Sequence, residues 1–314
     1  MLRLYKYLKK SMQATNNILM IRPVRFSFNE ETSGSNAFQN AAARADDTQQ
    51  KALDEFNNMV TLLEENGIDV MVVDDTTEPH KPDSIFPNNW ISFHDDGLVG
   101  LYPMQAVNRR LERRADIVEM ISDKFELKDI IDFTESEKEN KFLEGTGSMV
   151  LDRENKICYA CLSPRTHADM LTQFCNAFGY TLVSFTARDN GGLLIYHTNV
   201  VMCVGTKFMV ICMEAIVDEN EKKRIRESTN KTIIEITLEQ LHHFAGNMLE
   251  LVNKHGEHLL VMSEQAYSSL LPAQIATLNA FARILPVQLY TIESNGGGSA
   301  RCMMAEIFLT PESK

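Results

Sequence analysis

The chain has 314 residues, 44% of them hydrophobic and 24% charged, with a formal net charge of −12. Such a chain buries a sizeable core, as one large domain or two average ones. Its negative balance argues against nucleic acid and acidic membrane surfaces as partners.

The start, from Met1 to Lys10, mixes apolar and basic residues without the unbroken apolar run of a signal peptide. Residues 1–17 read as an N-terminal extension and 18–314 as one catalytic domain. No stretch is long enough to cross a bilayer. Residues 26–39, rich in Asn, Ser and Gly, are a candidate lid or a passive loop. Leu53, Phe56, Val60 and Leu63 follow at helical spacing, with Gly67 as stop before a strand over 68–73. Leu111, Ile117, Val118, Ile121 and Phe125 predict another helix, with Arg109, Arg110, Arg113 and Arg114 as its solvated face. The charged runs 135–141 and 218–227 also read as solvated.

Cys158 and Cys161 lie in a segment that reads as a buried strand. No second CxxC or zinc-spaced histidine pair accompanies them, so packing is preferred over metal binding. Six cysteines in so long a chain suggest no disulfide scaffold and a cytoplasmic setting. Leu171, Phe174 and Phe178 mark a helix that Gly179 stops before a strand over 181–185. Ile225 sits in a charged helix ahead of a strand over 232–236. Residues 266–285 read as the last helix, closed by Pro286 before a strand over 287–292.

Five short apolar segments are reached through small or amide residues. Marked by Asn89, Thr146, Asn199, Asn247 and Ala300, they stand 57, 53, 48 and 53 residues apart. A period this regular signals stacked or circular supersecondary units. With helices and strands alternating between the marks, the expected fold is a fivefold pseudosymmetric α/β propeller. An open doubly wound sheet competes, but no GxGxxG or P-loop opens a helix.

In a propeller the mouths of the repeats converge, so Asn88 and Asn89, Glu144, His197 and Asn199, Asn247 and Cys302 can meet. A thiol there attacks an electrophilic carbon, an imidazole moves the proton, and a carboxylate orients the imidazole. Taken singly, each has a bland reading: a buried Cys as a small hydrophobe, a satisfied core His, a capping Glu. Their joint placement at repeat mouths favours catalysis.

The run Gly296-Gly297-Gly298-Ser299-Ala300-Arg301-Cys302-Met303 resembles the nucleophile motif of the guanidine-modifying, or pentein, superfamily. Phe142-Leu143-Glu144-Gly145-Thr146-Gly147 resembles its acid motif and His197-Thr198-Asn199 its histidine motif. Residues 82–89 resemble the substrate segment of dimethylargininases, and residues 162–166 the segment whose Arg165 holds the substrate carboxylate. The likeness runs from about Ile18 to the C-terminus. It implies the propeller fold and the catalytic set Cys302, His197 and Glu144; no cofactor is expected, and no metal-ligand set is visible in the sequence.

Where arginine deiminases grip a guanidinium with two aspartates, this chain has Asn89 and Asn199. Amides suit a neutral ureido group better than a cation. That pattern and the opening of residues 20–29 resemble the citrulline-utilisation hydrolases, implying citrulline converted to ornithine, ammonia and carbon dioxide. The resemblance implies Asn89, Asn199, Arg165, Asp83 and Asn88 as substrate-binding residues. The expected partner is a small-molecule amino acid, with homodimerisation open. A guanidine substrate (deimination, dimethylarginine hydrolysis or amidino transfer) is the runner-up, and a non-catalytic binding protein of the same fold is the rival from another class.

Overall fold

The computed structural model describes residues 12–312. In the helix Thr48–Glu65 the buried residues Ala52, Phe56, Met59, Val60 and Leu63 form one apolar face. Gly67, at φ +82°, turns the chain into the strand Asp69–Asp74. That strand runs parallel to Asn17–Arg22, which pairs antiparallel with Ala305–Glu306. An antiparallel pair plus a parallel third strand is the repeating unit, and the parallel step requires the helical crossover.

Four further sheets repeat it. They are Ile91–Phe93, Leu98–Leu101 and Asp129–Asp132; Val150–Asp152, Ile157–Cys161 and Thr181–Phe185; Met202–Val204, Phe208–Ile211 and Thr232–Glu235; and Leu249–Val252, His258–Ser263 and Arg283–Val287. Among the described residues the chain is therefore an α/β protein of five three-stranded sheets, consistent with pseudo-fivefold repetition. Each sheet packs its crossover helix into an apolar cluster, as Phe174 and Phe178 of Ala168–Phe178 do.

Four of the repeat mouths are single helical turns: Pro87–Asn89, Gly145–Ser148, Thr198–Val201 and Ala300–Met303. Successive turns touch backbone to backbone. A Cβ on Gly145, which has φ +48°, would collide with the Asn88 carbonyl, and one on Gly246 with the Val200 carbonyl. The small residues that mark the repeats are the price of this contact.

Several expectations need correction. Residues 266–285 are not one helix: Glu264–Ser269 ends before Pro272, which opens a second helix, Pro272–Asn279. Pro286 lies inside the strand Arg283–Val287, an edge strand where the missing N–H costs no ladder bond. Residues 287–292 mostly lead into the helix Tyr290–Gly296. Leu111 is exposed in a separate turn, Asn108–Glu112, ahead of the helix Ala115–Ser122. Glu137, in a run read as solvated, accepts from Met104 N and is gripped by both terminal nitrogens of Arg113.

Of the expected N-terminal extension, residues 1–11 lie outside the described residues. Gln13 is buried, donating to the Leu151 and Val204 carbonyls and accepting from Arg153 N. Cys158 and Cys161 belong to different apolar clusters, because three residues along a strand reverses the face.

Candidate active site

The turn Ala300–Met303 places the buried Cys302 against two amides. Asn199 Nδ2 lies 3.3 Å and Asn247 Nδ2 3.2 Å from its Sγ, both donating. The sulfur lines a nearly closed cleft, with free volume of about 10 Å³, together with Asp83, Phe86, Asn89, Arg109, Arg165, Tyr196 and His197. Gly298 packs on the Cys302 Cβ and on Phe86, a fit that a larger residue would spoil.

His197 Nε2 meets Glu144 Oε2 at 2.8 Å, with both side chains buried. Glu144 Oε1 accepts from Gln105 N, and the Arg165 and Arg109 guanidiniums approach Oε2 at 3.6 and 3.9 Å. Burial alone would raise Glu144. Arg165, the His197 hydrogen bond and Arg109 outweigh it and hold the carboxyl at about 2. Burial, helped by the same two arginines, lowers His197 to about 4 despite Glu144. Burial thus outweighs the carboxylate's support for the charged ring. The resting imidazole is neutral. A carboxylate only accepts, so the proton sits on Nε2 and the Nδ1 lone pair, beside Gly147, is free.

Arg109 is the residue the sequence misplaced. Far from solvated, it is buried and bidentate with Glu112 at 2.8 and 2.9 Å, and its third nitrogen donates to Asn89 Oδ1 at 3.0 Å. A guanidinium only donates, so it turns the oxygen of Asn89 towards itself and leaves Nδ2 buried without a partner. Asp83 Oδ2 accepts from Asn29 Nδ2 at 2.7 Å, while Oδ1 is unpartnered. Burial pushes Asp83 up, and pushes Glu112 up to about 7. Three carboxylates here face two guanidiniums.

Arg165 stacks on Tyr196, with its carbon 4.8 Å from the ring centre. Its nitrogens donate to Ser35 Oγ at 2.7 and 3.2 Å and to the Thr32 carbonyl at 3.3 Å. Both partners belong to the loop read as a candidate lid. The same loop sends Asn36 Nδ2 to the Gly296 carbonyl and Gln39 Nε2 to the Asn295 carbonyl. It therefore covers the cleft and is tied to the glycine run before the nucleophile.

The structure brings Cys302, His197, Glu144, Asn89, Arg165 and Asp83 together, with Asn199 beneath the sulfur. Asn88 stands apart. It does not line the cleft and points its Nδ2 at Thr146 Oγ1, 3.3 Å away, in the contact between turns. Arg109 and Tyr196 were missed as site residues, and Asn247 was placed among the converging mouths but given no role. For Arg109 the local partner Glu112 gave no sign of burial, since Asn89 and Asp83 come from another segment. Among the described residues no group of His, Cys, Asp and Glu is placed to hold a metal ion, and no helix is long and apolar enough to cross a membrane.

The structure resembles several solved proteins. The N-terminal domain of ArgZ, a cyanobacterial arginine dihydrolase of the ornithine-ammonia cycle, solved as a mutant bound to substrate, superposes with a TM-score of 0.73 at 17% identity. That match covers 93% of this chain and 99% of that one. Apo ArgZ gives 0.74 at 16% identity over 92% of this chain, which spans only 40% of that longer protein. A dimethylarginine dimethylaminohydrolase variant carrying an S-methyl-L-thiocitrulline adduct gives 0.64 at 17% identity, over 93% and 99% of the two chains. No curated protein matches the sequence. The family model described as N,N dimethylarginine dimethylhydrolase, eukaryotic, matches residues 22–309. With nearly the whole length matched, the chain belongs to that family and to the guanidine-modifying pentein superfamily.

Proposed function

We propose that the protein is a cysteine hydrolase that cleaves a C–N bond at the ureido or guanidino carbon of an arginine-related amino acid, with citrulline as the preferred substrate and the five sheets as blades about a common axis. One observation carries the chemistry: a sulfur held by two amide donors shares a cleft with an imidazole locked to a buried carboxylate.

Nδ1 of His197 takes the thiol proton as Cys302 Sγ attacks the ureido carbon, then passes it to the departing ornithine amine. The S-carbamoyl enzyme that remains is hydrolysed by a water that His197 deprotonates. The carbamate released breaks down to ammonia and carbon dioxide. Glu144 orients the ring throughout and supports its charge during transfer. Arg165 would exchange its lid partners for the substrate carboxylate, and the unpartnered Asp83 Oδ1 would take the α-ammonium.

The choice of citrulline rests on Asn89. Its free Nδ2 is a donor seeking an acceptor, which a ureido oxygen supplies and a guanidinium, all donors, does not. A second reading, a guanidine substrate, draws on the family match and on the excess of buried carboxylate over guanidinium, which a cation would balance. Amidino transfer and non-catalytic binding follow behind.

A panel of citrulline, arginine and methylated arginines with product identification tests the reading. Ornithine and ammonia from citrulline, with little turnover of arginine, is expected. Citrulline formed from arginine or dimethylarginine as the faster reaction overturns it in favour of the guanidine reading. Asn89→Asp should lower kcat/KM for citrulline by about a hundredfold, the cost of facing a carbonyl oxygen with a carboxylate.

A further inference from the structure

We propose that Asn247 is a catalytic residue, forming with Asn199 a two-amide cradle that stabilises negative charge on the Cys302 sulfur. This deepens the reading of Cys302 as the nucleophile and rests on it.

The orientation of Asn247 is fixed by its neighbours. Its Oδ1 accepts from the backbone N of Arg301 at 3.0 Å, and a backbone N–H can only donate. Nδ2 must therefore face the other way, where it reaches Cys302 Sγ at 3.2 Å and the Asn199 carbonyl at 2.9 Å. Asn199 presents its own Nδ2 to the same sulfur at 3.3 Å. Both residues are wholly buried, so no water competes for the sulfur on that side. An amide donor gains most when its acceptor is charged, so two of them favour the thiolate over the thiol.

The cation beside Cys302 in sequence does not serve this purpose. Arg301 spends its guanidinium on Glu306 Oε2 at 2.6 Å and the Met304 carbonyl at 2.8 Å. The charged and titratable groups lining the cleft with the sulfur are Asp83, Arg109, Arg165, Tyr196 and His197, with Glu144 behind the imidazole. None of their side chains bonds to Asn247, so its replacement leaves their contacts intact; it removes the bond to the sulfur along with those to Arg301 N and the Asn199 carbonyl.

The test is alkylation of Cys302 by iodoacetamide, read by peptide mass analysis across pH, with no substrate present. Asn247→Leu should slow alkylation at neutral pH by about tenfold, the loss of one charge-assisted hydrogen bond. In strongly alkaline solution, where thiols ionise regardless, the variant and parent rates should converge. Asn247→Asp, nearly isosteric and able to keep the bond to Arg301 N, should slow neutral alkylation further; it serves if the leucine variant fails to fold. Equal rates at neutral pH, or a deficit that persists unchanged in alkali, overturn the proposal, since the latter marks a purely structural role. If Cys302 of the parent reacts no faster than the buried Cys158 and Cys161, the nucleophile reading itself falls instead.

Discussion

The two faces of the repeat mouths treat buried polar groups in opposite ways. On the cleft side Asp83 Oδ1 and Asn89 Nδ2 are buried and without partners. Around Gln13, Arg153, Arg301 and Glu306 almost everything is paired. Gln13 makes three backbone bonds, Arg301 and Glu306 meet at 2.6 Å, and Glu250 takes both the N–H and hydroxyl of Thr206. An unsatisfied buried group costs about 1–3 kcal/mol, and a ligand that completes two of them in one cleft recovers that cost. The paired face holds the mouths in place, and the unpaired face offers a donor and an acceptor to the proposed amino-acid substrate.

Replacing Cys302 by Ser is the most severe way to test the division. Turnover should fall by at least about 10⁴-fold, because a serine hydroxyl lacks the acidity and nucleophilicity of the thiol. Citrulline binding, followed by calorimetry, should survive; its loss would mean that the sulfur packs the cleft rather than reacts. On the paired face, Arg301→Met leaves Glu306 with only Arg153, 3.8 Å away. Destabilisation of about 3 kcal/mol in urea unfolding is expected. A stable Arg301→Met protein would show that the pairing on that face contributes little.

The most gradual expected effect is on acid stability. The folded-state value of His197 is lowered to about 4 from an ordinary 6.5, so between those values the unfolded chain binds more protons and stability falls as pH drops. Glu144, held at about 2 against an ordinary 4.5, extends the loss below that window. Urea midpoints measured from pH 7 to 4 should decline less steeply for His197→Gln than for the parent. Parallel slopes would mean that His197 is not buried neutral.

Much of this arrangement was legible in the sequence because close backbone contact demands small residues wherever it occurs. Gly145, Gly147 and Gly246 advertise three mouths, since side chains there would strike Asn88, Asn89 or Val200. Helices whose apolar residues keep strict spacing, such as Thr48–Glu65 and Ala168–Phe178, were legible for the same local reason. Arg109 was not, because a guanidinium in a basic run looks solvated until Glu112, Asn89 and Asp83 are seen around it. Gln13 likewise reads as part of a tail, and only the carbonyls of Leu151 and Val204 reveal its place. The charge of His197 depends on burial and on two arginines from other segments, which local spacing does not encode.

Arg165 already grips Ser35 and Thr32 of the covering loop. An amino acid that claims this guanidinium trades one set of contacts for another instead of adding to an idle group. On the proposed reading the net gain would be small, keeping affinity modest and departure fast. A ligand that mimicked the Ser35 hydroxyl as well as the carboxylate would inherit both sets, and would hold the loop open while it stayed.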